Sequence, residues 1–114
     1  MKYLLQIYPH YEMAEFEQLP ADEQRAIHEE YLAILQLPGV VGGDQLGPVE
    51  TATTVRVRDD ETLLTDGPFI DAKEHLGGYL VIEFDDPWAA FEIAARVPAA
   101  RMGGAVEVRP LVER

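Results

Sequence analysis

The chain contains no cysteine and no serine. The first absence excludes disulfides, thiolate metal sites and cysteine nucleophiles, and the second excludes serine hydrolysis. Basic side chains are scarce: nine Lys and Arg against 21 Asp and Glu give a formal charge of −12. Binding to nucleic acid needs clustered cations to neutralise phosphates, so direct nucleic-acid binding is not expected. The densest basic spot is Arg56 and Arg58, which face Asp59, Asp60 and Glu61 across a short turn and read as one charged hairpin face. No apolar run approaches the ~20 residues of a membrane span, and residues 1–10 (MKYLLQIYPH) lack the core of a signal peptide. No membrane partner and a cytoplasmic location are therefore expected. Phosphate loops are missing as well: Gly42-Gly43 and Gly77-Gly78 stand outside any G-x-G-x-x-G or G-K-[ST] pattern, and no cofactor is expected.

What is present is enough for one domain, residues 1–114, with 47% hydrophobic content to build a core. Residues 2–8 alternate but are apolar on both sides, as in a strand covered on both faces. Residues 9–19 break the pattern, and no element beyond a helical turn is assigned there. Pro20 suits a first helical position, followed by a stripe of Ile27, Tyr31, Ile34 and Leu35 that should pack on a sheet. Pro38-Gly39 stops this helix, and a strand with room for a bulge at Gly42-Gly43 follows. Residues 53–58 and 61–65 flank Asp59-Asp60 as a hairpin. A strand over residues 79–84 leads to Asp86-Pro87, an N-cap and first residue for a second helix that reaches about Val97 and carries Trp88, Phe91 and Ala95 on one face. Residues 105–111 form the last strand, with Val106 and Val108 opposite Glu107 and Arg109.

The hairpin delivers the chain into residues 65–83, TDGPFIDAKEHLGGYLVIE. Asp66-Gly67-Pro68 is a turn in which Gly67 should take positive φ, Phe69 pins the turn, and Asp71 with Glu74 has capping-box spacing. This block, together with residues 1–8 (MKYLLQIY), 39–46 (GVVGGDQL), 51–58 (TATTVRVR) and 97–110 (VPAARMGGAVEVRP), resembles the DGPF-type proteins of the YCII-related family over nearly the whole chain. The resemblance implies an α+β, ferredoxin-like sandwich with a βαββαβ core, here carrying an inserted hairpin, whose subunits pair sheets into a dimeric α+β barrel. It also implies a homodimer, and a possible partner in a sigma factor of the extracytoplasmic-function type.

Candidate functional residues follow. Asp66 reads either as a general acid or base held by a rigid turn, or as an Asx-turn carboxylate binding amides just downstream. His28, beside the apolar stripe of the first helix, is its candidate acid–base partner; relatives in the wider family place a helix histidine near here with an aspartate. His10, His28 and His75 lack the H-x-x-x-H or H-x-H spacing of a metal site, and no metal is expected. Gln6, Tyr79, Glu83, Glu107 and Arg109 would line a cleft between paired sheets, with Gln6 and Tyr79 as ligand contacts. Arg101, in the loop after Pro98, is a candidate anion contact. Two functions stay open: a small-molecule-binding or regulatory homodimer, and a cofactor-independent acid–base enzyme using Asp66 and His28 on a small organic substrate.

Overall fold

The computed structural model describes residues 1–10, 13–69 and 75–114. Its main sheet is antiparallel between neighbours and has the order β2-β5-β1-β6, built from β1 (Lys2–Tyr8), β2 (Val40–Gln45), β5 (Gly78–Glu83) and β6 (Ala105–Pro110). Helix α2 (Ala21–Leu35) connects β1 to β2 and α3 (Pro87–Arg96) connects β5 to β6. Two such β-α-β units around interleaved strands define an α+β, ferredoxin-like fold.

Strand pleat decides what the helices cover. Tyr3, Leu5 and Ile7 alternate with Leu4, Gln6 and Tyr8, and only the first set is buried. Leu80 and Ile82 of β5 extend that face, and Ile34, Ala90, Ile93, Ala94 and Val97 close over it. Leu5 and Ile82 are wholly inaccessible, so truncating either removes contacts on every side. On the opposite face no helix among the described residues lies over Leu4, Gln6, Tyr79 and Val81, which are half-buried.

Local chemistry sets the boundaries. Asp86 caps α3 by accepting from the Trp88 amide at 3.0 Å, with Pro87 at the first helical position. The β2 register shifts between Val40 and Gly42, the bulge that Gly42-Gly43 permits. Gly43 is needed for close approach, since a Cβ there would stand 2.6 Å from the Tyr79 carbonyl oxygen. The inserted hairpin pairs β3 (Thr53–Arg58) with β4 (Glu61–Asp66) as a separate two-stranded sheet. Asp59 and Asp60 turn it with φ of 51° and 64°, the double positive φ of a type I′ turn. Val55, Val57 and Leu64 share one side of the hairpin, with Val57 and Leu64 about 70% and 69% exposed. Arg56 and Arg58 occupy the other side, where the Arg56 guanidinium lies 5.1 Å from the centre of the Phe69 ring.

Residues 9–19 hold the helical turn that the sequence allowed there, as α1 (Met13–Glu17). Pro98 does not open a loop but starts a further helical turn, α4 (Pro98–Arg101), because a proline is as well suited to begin a helix as to follow one. The shared face of Trp88, Phe91 and Ala95 points to solvent: Trp88 is 68% exposed and meets Phe91 edge-on at 5.3 Å, while the small residues Ala90 and Ala94 with Ile93 face the sheet. The capping box of Asp71 and Glu74 lies outside the described residues.

Candidate functional site

A cleft of about 1210 Å³ lies between α2 and the end of the sheet where β1 finishes and β5 begins. Three hydrogen-bonded ties assemble it. The Gly77 amide donates to the Ile7 carbonyl at 2.8 Å, and the Leu46 amide donates to the Gly77 carbonyl at 2.9 Å, so the approach to β5 is held between the ends of β1 and β2. Gly77 also lets Pro9 close in, since a Cβ would meet the proline ring at 2.8 Å. The third tie is the Gln24 side-chain amide, which donates to the carbonyls of Glu17 at 2.9 Å and Leu19 at 2.8 Å and fixes the start of α2.

Helix α2 presents two adjoining stripes. Ile27 and Ile34 are buried on the core, and immediately beside them on the helix surface His28, Leu32 and Leu35 line the cleft. Leu46 and Leu76 line it from the β2 and β5 side. These four leucines keep between 36% and 48% of their surface exposed, an unusual concentration of uncovered apolar surface in a charged chain. A short 3₁₀ turn, Val49–Thr51, forms the outer lip, held by the Thr51 hydroxyl donating to the Pro48 carbonyl at 2.6 Å.

All three histidines line this cleft. Antiparallel pairing explains two of them: Ile7 sits opposite Gly78, so the residues just after β1 and just before β5, His10 and His75, emerge at the same end of the sheet. His28 joins them from α2. Among the described residues, no group of three or more His, Asp or Glu side chains is placed to hold a metal ion. What this cleft offers chemically is apolar surface with imidazoles that can donate or accept hydrogen bonds at its edge.

The other candidates fall elsewhere. Tyr79 lines the cleft and pairs across the sheet with Asp44 on one side and Gln6 on the other. Gln6 is in the middle of the uncovered sheet face, where its Oε1 is buried without a hydrogen-bond partner among the described residues. Asp66 ends β4 on the hairpin, exposed, and does not line the cleft, so one chain does not bring it to His28 there. The turn after it is tied to the hairpin base: Gly67 has φ of 99°, its amide donates to the Ala52 carbonyl and its carbonyl accepts from the Thr54 hydroxyl, each at 2.8 Å. Arg101 is engaged on the surface, donating to Glu30 at 2.6 Å, and is absent from the cleft wall. Residue spacing gave no sign of the convergence of His10 and His75. Strand pairing would have shown it, because a hairpin-like register places flanking residues side by side.

A sequence profile of the YCII-related domain matches residues 1–114, and the chain belongs to the YCII-related family. An uncharacterized protein of Rhizobium meliloti (strain 1021) is 37% identical to it over 68 residues, 59% of this chain. The match spans 55% of that relative's own length. No helix among the described residues is long and apolar enough to cross a membrane.

Proposed function

We propose that this protein binds a small organic molecule in the cleft between α2 and the β1–β5 end, and that it acts as a homodimeric binding or regulatory protein of the DGPF type. The observation that carries this reading is the meeting of Leu32, Leu35, Leu46 and Leu76, all partly uncovered, with three histidines around one cavity of about 1210 Å³. Sites for small molecules are concave and mostly apolar, with a few polar groups for orientation, and typically hold ~300–1,000 Å³. Dimerisation is supported by the uncovered sheet face around Gln6 and by the apolar side of the β3–β4 hairpin, since an isolated two-stranded sheet is marginally stable in water. A sigma factor is the protein partner that the family association suggests for such a regulator.

The neutral solvatochromic dye Nile red tests the binding reading. It should bind saturably with a blue-shifted emission, and Leu32→Gln with Leu35→Gln should abolish the shift while the fold is retained by circular dichroism. Emission that does not saturate, or that survives the double substitution, would contradict a cleft site.

One observation favours the acid–base alternative: the exposed His28 imidazole lines the cleft wall, within reach of whatever occupies it. Under that reading His28→Gln leaves Nile red binding intact and abolishes turnover of a cleft substrate. Turnover unaffected by His28→Gln would remove it.

A further inference from the structure

We propose that the ligand of this cleft is a lipophilic cation: an amine or quaternary ammonium group carried on an apolar body. The inference rests on the small-molecule reading above and adds the chemical class. The apolar half of the specification comes from Leu32 and Leu35 on one wall and Leu46 and Leu76 on the other, surface that an aliphatic or ring body would cover. The charge comes from the remaining lining residues. Glu17, Asp44 and Glu50 contribute three carboxylates against the single guanidinium of Arg25.

The surroundings reinforce that balance. The whole chain carries −12, and a cleft with low-dielectric walls focuses the field of the charges around it. A carboxylate or phosphate ligand entering here moves against that field, a neutral one gains nothing from it, and a cation is drawn in. Long-range attraction of this kind depends on the number of charges more than on any one contact, so it survives rearrangement of individual side chains on the rim.

Three probes of equal chain length separate the possibilities: octylammonium, octanol and octanoate, titrated calorimetrically below their micelle-forming concentrations in low-salt buffer. Octylammonium should bind tighter than octanoate by about tenfold or more, with octanol between them. The gap should shrink as salt is raised, and Asp44→Asn with Glu50→Gln should narrow it while leaving octanol affinity unchanged. Leu32→Gln should weaken all three alike, which locates them in the cleft. Octanoate binding as tightly as octylammonium would overturn the cation assignment and leave the small-molecule site standing. A preference that the double variant leaves untouched would overturn it too, because the rim carboxylates would not be its cause. Binding of none of the three would overturn both readings.

Discussion

Arg101 donates from Nη2 to Glu30 Oε1 at 2.6 Å, linking the α4 turn to the middle of α2 across 71 residues of sequence. Both side chains are about half exposed, so the pair is screened by water and contributes at most ~1 kcal/mol. Arg101→Ala should therefore lower stability by less than ~1 kcal/mol and leave Nile red binding unchanged. Denaturant titration and dye titration check the two halves. Loss of dye binding in the variant would return Arg101 to the ligand site that the sequence suggested for it.

Gly43 and Gly42 are neighbours with opposite demands. A Cβ at Gly43 would press on the Tyr79 carbonyl oxygen at 2.6 Å and on Leu80 at 2.7 Å, whereas one at Gly42 meets nothing within 4 Å. Gly43→Ala should destabilise by roughly 1–3 kcal/mol through overpacking at the β2–β5 pair, and Gly42→Ala by far less. Equal effects in thermal unfolding would contradict this division.

Gly67 tests the turn itself. Its φ of 99° is costly for a side chain, while the space around its Cβ position is open. Gly67→Val should cost about 1–3 kcal/mol through backbone strain alone. An unchanged melting temperature would show that the turn adopts another conformation.

The hairpin tests the assembly. Leu64, 69% exposed, stands opposite Val55 on the apolar side of the β3–β4 ribbon. If a second copy covers this side, Leu64→Glu should convert the dimer to monomer in sedimentation velocity, with little change in the stability of the single chain. A dimer that persists unchanged would move the interface off the hairpin.

Much of the fold is legible in the residues. The α2 stripe, the Asp86-Pro87 start of α3, the Gly42-Gly43 bulge and the two-residue Asp59-Asp60 turn each follow from chemistry within a few positions of the feature. Helix α1 registered only as a helical turn because five residues carry too little periodicity for more. The shared face of Trp88 and Phe91 was legible but its direction was not: Ala90 and Ala94 let α3 approach the sheet, and the aromatic face is left to solvent. The cleft is a product of topology. His10, His28 and His75 share no spacing, and Leu35, read from the sequence as part of the stripe that packs on the sheet, is instead 37% exposed and lines the cleft beside Leu32. Asp66 drew attention through a strong turn motif, and the hydrogen bonds that tie this turn to the hairpin base are made by its neighbour Gly67, with Ala52 and Thr54.

The most direct test is a crystal structure of the protein purified from cells without any added ligand, with attention to the space between α2 and the β1–β5 end. Density for an extended apolar molecule against Leu32, Leu35, Leu46 and Leu76, with its polar end toward the histidines or the rim carboxylates, is the expected result. A cleft closed by side chains of the same chain or of a second copy would contradict a small-molecule site.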